Sequence, residues 1–203
     1  MANTARVAII TGGFSGMGLA TARRLHAEGI TVCIGARRGD DADAVAKLQE
    51  AVGAPVFVAK LDVRNSESVQ GFVTQVTEKF GTVDILLNTA GVYEETPVIG
   101  HSDQIWDDTI DTNLTGTFKM IRAVMPIMVA QKWGRIVNLA SVAAHNGMVN
   151  NAAYCASKAG LLGLGRCVSL EGAAHGVTCT SISPTWVETE MLKQFVDQEI
   201  AET

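Results

Sequence analysis

Tyr154 and Lys158 stand four residues apart in the segment "NAAYCASKAG", residues 151–160, where most neighbours are small or apolar. On a helix, positions i and i+4 lie on one face about a turn apart. A free phenol titrates near ~10, and a nearby cation favours its ionised form. A tyrosine so placed could act as a general acid/base near neutral pH, its pKa lowered by the lysine. The alternative is a surface tyrosine beside a solvated lysine, and the pair alone does not separate the two.

A second chemical feature is "TGGFSGMG", residues 11–18, which follows an apolar run and opens a helical pattern. Gly12 would allow a tight turn, Gly16 a close approach of backbone to a ligand, and Gly18 close helix–strand packing. The helix N-terminus behind them offers free N–H groups and a favourable dipole to a phosphate. Ser15 and Met17 belong to the same loop.

The elements that must position these residues are legible as an alternation. Strand patterns fall at 6–11, 31–36, 55–60, 83–88, 134–140 and 177–182, each short, β-branched and almost continuously apolar. Strands buried on both faces read this way. Helical patterns fall at about 16–28, 41–52, 66–80, 103–131 and 154–175. Ser66 is the expected cap of the third, ahead of a stripe of Val69, Phe72, Val73 and Val76. Pro126 is expected to end or kink the fourth. Alternating strands and helices predict an α/β, Rossmann-type doubly wound parallel sheet. No repeat or linker interrupts residues 1–203, so a single domain is expected. In such sheets ligands bind beyond the carboxyl ends of the strands.

Composition narrows the function classes. Hydrophobic residues make up 47% and charged residues 18% of 203, as in a globular chain with a sizeable core. The net charge is −5 and no long run of Lys and Arg is present, which argues against nucleic acid as a partner. The N-terminus lacks a signal-peptide build, and no apolar run reaches the ~18 to 20 residues of a membrane span. Cys33, Cys155, Cys167 and Cys179 fall at no metal-ligand spacing, so no metal site is expected and the thiols read as reduced in a cytoplasmic protein.

Taken in order, these motifs resemble the short-chain dehydrogenase/reductases: T-G-x-x-x-G-x-G near the N-terminus and Y-x-x-x-K later, with the match covering nearly the whole chain. "NTAG", residues 88–91, resembles that family's N-N-A-G, with Thr89 at its second Asn. The resemblance implies that Asn88, Ala90 and Gly91 border the cofactor, together with Asp62 and Val63 of "LDV". Asp62 matches the acid that usually approaches the adenine amino group, and read alone it could be a turn residue. "SPTWVET", residues 183–189, carries Thr185 where the family usually has Gly; Pro184, Val187 and Thr189 are its expected cofactor contacts.

The same resemblance assigns the chemistry. Tyr154 becomes the general acid/base, and Lys158 lowers its pKa and holds the nicotinamide ribose. Ser141, thirteen residues before Tyr154, bonds the substrate oxygen. Asn113, in "DTNLTG", would hold a water in a proton relay from Lys158. Read alone, Asn113 could bond nearby backbone and Ser141 could cap a strand end.

The second strand ends "IGARRGDD", with Ala36 where NAD-preferring folds usually place an acid. Arg37 and Arg38 follow and could pair with a 2′-phosphate, favouring NADP(H) over NAD(H). Two alternatives stay open: Asp40 or Asp41 pairs with the arginines, or both arginines are simply solvated. Val92, Tyr93, His145, Met148 and Trp186 are candidates to line a moderately apolar substrate pocket, with His145 a pocket-wall or solvent-facing residue. A ketone/secondary alcohol pair is the expected substrate class, with a 3-oxoacyl thioester, a steroid and a small cyclic ketone all open.

Family members usually continue with further helices and a seventh strand, whereas this chain stops at Thr203. Leu192, Phe195, Val196 and Ile200 at helical spacing read as the first helix of a substrate lid, spanning 189–203 and cut short. Small residues Ala159, Gly160, Gly163 and Gly165 on the last long helix could pack against a partner, so a homo-oligomer, dimer or tetramer, is expected. The alternatives to a reductase are a non-catalytic nucleotide-binding or structural relative and an epimerase or dehydratase of the longer-chain relatives.

Overall fold

The computed structural model describes residues 5–189 and 193. Six strands form one parallel sheet: β1 (Val7–Thr11), β2 (Thr31–Ala36), β3 (Phe57–Lys60), β4 (Ile85–Asn88), β5 (Gly134–Leu139) and β6 (Val177–Ile182). Their order is β3-β2-β1-β4-β5-β6. Side chains alternate across each strand. Ile9, Cys33, Leu86 and Ile136 face one apolar layer, and their neighbours Ile10, Ile34 and Leu87 face the other. That double burial is why β1, β2 and β4 read as unbroken apolar runs.

Two helices, α1 (Gly16–Ala27) and α2 (Ala42–Val52), close the second layer through Ala22, Leu48 and Val52. The first layer is closed by α3 (Ser66–Phe80), by α5 (Gly116–Ala130) and by Val168 of α6 (Ala152–Gly172). The remaining helix, α4 (Asp103–Ile110), packs against α6. The stripe Val69, Phe72, Val73 and Val76 of α3 is buried as expected. Its cap is Asn65 and not Ser66: Asn65 has extended backbone and accepts from the Ser68 N–H at 2.9 Å, which leaves Ser66 as the first helical residue.

The fourth helical pattern also differs from expectation. It divides into α4, a π-helical segment at Asp111–Thr115, and α5. Pro126 does not end it, for α5 runs four residues past the proline. Met120 and Val124 before the proline and Met128 after it are fully buried. Packing of that face outweighs the hydrogen bond the proline cannot make. At the other end of the sheet's helical cover, α6 finishes in a 3-10 turn at Ala173–His175. The lid helix expected from Leu192, Phe195, Val196 and Ile200 lies outside the described residues.

Between β1 and β4 the direction of winding reverses, so the loops that leave their carboxyl ends diverge and open a crevice.

Candidate active site

Two cavities, of about 370 and 450 Å³, occupy that crevice. They share Gly12, Ser15, Ala90, Gly91 and Val92, and so form one groove across the top of the sheet. The glycine-rich turn makes the groove possible. Gly12 has φ +71°, and a Cβ there would sit 2.8 Å from the Ala90 Cα. A Cβ on Gly18 would meet the Thr89 hydroxyl at 2.7 Å. Thr89 is thus where the loop departs from the family's Asn: its hydroxyl donates to the Thr11 carbonyl, and Thr11 Oγ1 accepts from the Thr89 and Ala90 N–H groups at 3.2 and 3.1 Å.

The larger part of the predicted chemistry converges on the first cavity. Tyr154 and Lys158 project from α6, Ser141 stands just after β5, and Met148, Pro184, Trp186, Val187 and Thr189 close the wall, with Met17 and Gly16 at the turn. The Lys158 ammonium lies 5.5 Å from the Tyr154 ring centroid and donates to the Leu139 carbonyl at 2.7 Å. Burial pushes this lysine down to about 8. Burial also pushes the Tyr154 phenol above its ordinary value, and the Ser141 side chain pulls it part of the way back. The expected lowering by Lys158 is therefore not what the geometry gives: desolvation dominates. Tyr93 packs edge-on against the Tyr154 ring, with centroids 5.0 Å apart.

Three predicted residues do not reach the groove. Asn113 is buried at the centre of the π segment. Its Oδ1 accepts from the Val92 N–H at 2.8 Å, and its Nδ2 donates to the Val92 carbonyl at 2.9 Å and to Ser157 Oγ at 3.1 Å. Both amide protons are used, and the side chain anchors the loop after β4. Asn88 is buried and donates to Asn138 on the neighbouring strand at 2.9 Å, below the level of the ligand groove. His145 is exposed, shares a hydrogen bond with the Ser183 hydroxyl at 3.1 Å and does not line the cavity, as in the solvent-facing reading.

The second cavity holds Arg37, Arg38, Asp62 and Val63. Asp40 does not pair with these arginines; it bonds Lys60 at 2.8 Å. Asp41 does not either, because its carboxylate accepts from the Asp43 and Ala44 N–H groups and caps α2. Among the described residues neither arginine has an ion pair, and Arg38 lies 5.4 Å above the Phe14 ring. Phe14 and Arg64 line this cavity and Asn146 lines the first, none of them singled out from the sequence. Phe14 stood inside the glycine motif and Arg64 two residues after Asp62, so adjacency was the available signal.

A parallel doubly wound sheet with a glycine turn at its reversal point and an aligned Tyr–Lys pair defines a nucleotide-binding oxidoreductase class. The chain belongs to the short-chain dehydrogenase family, whose sequence pattern matches residues 6–200. It is 41% identical over 194 residues to the ketoacyl reductase assigned to the monensin polyketide synthase of Streptomyces virginiae, covering 95% of this chain and 74% of that one. It is 35% identical over 191 residues to the 3-oxoacyl-acyl-carrier-protein reductase FabG of Staphylococcus epidermidis, covering 94% and 78%. Among solved structures, an actinorhodin polyketide ketoreductase variant crystallised with NADPH superposes with TM-score 0.89 at 36% identity, over 98% of this chain and 77% of that one. Levodione reductase gives 0.89 at 32% identity, over 96% and 76%.

Proposed function

We propose that the chain is an NADPH-dependent ketoreductase that reduces a ketone carbonyl to a secondary alcohol, with Tyr154 as the proton donor. The observation that carries this reading is the convergence of Tyr154, Ser141 and Lys158 on one cavity that runs into a second with two arginines that have no ion pair among the described residues.

The residues fit a dinucleotide phosphate. The Gly12 turn leaves no room for a Cβ and so brings bare backbone to the groove, at the N-terminus of α1, where a pyrophosphate is favoured. Arg37 and Arg38 offer guanidinium groups to a 2′-phosphate, with the nearby acids already engaged elsewhere. When bound, the nicotinamide supplies the hydride. Ser141 and Tyr154 would hold the substrate oxygen, and the negative charge that develops there is met by their hydroxyl protons. Because burial keeps the phenol protonated through neutral pH, Tyr154 is suited to giving its proton in the reducing direction. Lys158, fixed by the Leu139 carbonyl, sets positive charge beneath the tyrosine ring.

Substrate preference follows from the walls. Val92, Tyr93, Val142, Met148 and Trp186 line the first cavity, and Lys158 is its one charged side chain among the described residues. An uncharged acyl chain or ring carrying the ketone suits it. The ketoacyl and levodione reductases among the similar proteins lend support to that class.

The test is NADPH consumption with a panel of 3-oxoacyl thioesters and cyclic diketones, run beside NADH and the Tyr154→Phe variant. Turnover of no ketone by a chain that still binds NADPH would favour a non-catalytic nucleotide-binding relative and end the catalytic reading.

A further inference from the structure

We propose that Arg64 is a positioning residue for adenine recognition: its guanidinium holds the Asp62 carboxylate in the one orientation that leaves an acceptor for the adenine amino group. This rests on the dinucleotide reading above and adds to it a residue outside the motifs.

Three observations carry it. First, Arg64 engages both carboxylate oxygens. Its N–H and its Nε donate to Asp62 Oδ1 at 3.0 and 3.3 Å, and its Nη2 donates to Oδ2 at 3.2 Å. An ionised carboxylate has about four lone-pair sites. Oδ1 is therefore filled, and Oδ2 keeps one site for a further donor.

Second, Arg64 is itself held from two other elements. Its Nη1 donates to Asp108 Oδ1 on α4 at 2.9 Å, and its backbone carbonyl accepts from the Lys119 ammonium on α5. Gln104 in turn donates to Asp108 Oδ2 at 3.0 Å, so the far end of the bridge is also braced. A guanidinium gripped at both ends transmits a fixed geometry.

Third, the Asp62 backbone does not depend on Arg64. The Asp62 N–H donates to Ser68 Oγ at 2.9 Å, and its carbonyl accepts from the Asn65 N–H at 3.1 Å. Removing the guanidinium leaves the turn and the Arg64 N–H bond to Oδ1 in place; it takes away the Nε and Nη2 bonds, so the carboxylate, about one-third exposed, is left on a single donor about which it can turn. Asp62 and Arg64 both line the second cavity, beside Arg37 and Arg38.

The experiment compares NADP⁺ with its deamino form, in which hypoxanthine replaces adenine and the amino donor is lost. Calorimetric titration of the intact chain should show NADP⁺ binding at least ~10-fold more tightly, as expected for a hydrogen bond to a charged acceptor. Arg64→Gln should reduce that ratio to within ~2-fold, whatever happens to the absolute affinities. A merely structural role would weaken both ligands alike and preserve the ratio, and that result overturns the proposal. Should Arg64→Gln fail to fold, Asp108→Ala, which takes away the acceptor of the second grip, decides the matter: an unchanged ratio overturns the proposal and a reduced one supports it. An intact chain that binds both ligands equally also overturns it while leaving the reductase reading standing. An intact chain that binds neither removes both.

Discussion

Burial holds the Lys158 ammonium at about 8, against an ordinary value of 10.5, so the unfolded chain binds this proton more tightly than the folded one. The cost is fully present below about 8 and is relieved as pH rises from there towards 10.5, and stability from this group rises with pH across that window. Cys33 and Cys179 act with the opposite sign: burial pushes their thiols up to about 12 and about 11, so their contribution falls as pH passes 9.0. The clean measurement is therefore the difference between the parent chain and Lys158→Met in urea unfolding. It should move in the parent's favour by about 1 kcal/mol per pH unit between roughly pH 8 and 10. A difference independent of pH would show that the ammonium is not held down by burial. At the neighbouring residue, Tyr154→Phe should lower turnover by ~10²-fold or more with NADPH affinity within ~2-fold. With the phenol pushed up by burial, the parent's reduction rate should stay flat through neutral pH and fall only in alkali, while alcohol oxidation climbs. Arg37→Ala should weaken NADPH by ~10-fold or more and leave NADH nearly unchanged in a fluorescence titration. Equal losses for both cofactors would remove the 2′-phosphate from the account.

At the scale of elements, the π segment at Asp111–Thr115 does what an uninterrupted helix would not: it sets Asn113 against the loop that leaves β4. Asn113→Ala gives up three hydrogen bonds, two of them to Val92. Amide exchange at Val92 should quicken by at least ~10-fold, with a loss of about 2–3 kcal/mol in global stability and secondary structure retained. Unchanged exchange at Val92 would mean that the loop is held by other contacts. The segment also marks where reading from the sequence stopped. "DTNLTG" keeps a helical rhythm, and a π turn differs from an α turn only in which carbonyl each N–H reaches, a choice made by packing. Pro126 does not end its helix for a related reason, since the buried face on both sides of it decides the helix, and a proline is a local signal. The strands, by contrast, were legible because burial on two faces leaves an unbroken apolar run, and the Tyr154–Lys158 pair because a helix fixes which residues share a face. The resemblance of its motif points Asn88 into the groove, and the sequence leaves His145 between pocket wall and solvent. Adjacency does not say on which side of a strand end, or of a turn, a side chain falls.

At the scale of the molecule, the sheet of the described residues has β3 and β6 at its edges, and the helices leave apolar side chains in the open. Trp106 on α4, Phe118 on α5 and Leu170 on α6 are 40%, 43% and 80% exposed; α5 and α6 cover one layer, and α4 packs against α6. Half of the stripe of small residues on α6, expected to meet a partner, is used inside the chain: Gly160 makes room for Leu114, and Gly165 sits over Ser181 of β6. Of the four, Ala159 and Gly163 are exposed. The large apolar groups add to what Ala159 and Gly163 still offer a partner on this side. Exposed apolar groups of this size are normal when scattered and become costly to solvate when contiguous. A second copy of this chain related by a two-fold axis could cover Phe118 and Leu170 on both copies at once. The expected outcome is a sedimenting species heavier than one chain at micromolar concentration. Leu170→Asp combined with Phe118→Asp should convert it to monomer, because a carboxylate on each copy would have to be desolvated at the contact. Tyr154, Lys158 and the arginines stand apart from those two positions in the groove, so the monomeric variant should still bind NADPH. A parent chain that sediments as a monomer, or a double variant that remains associated, would place the contact elsewhere or remove it.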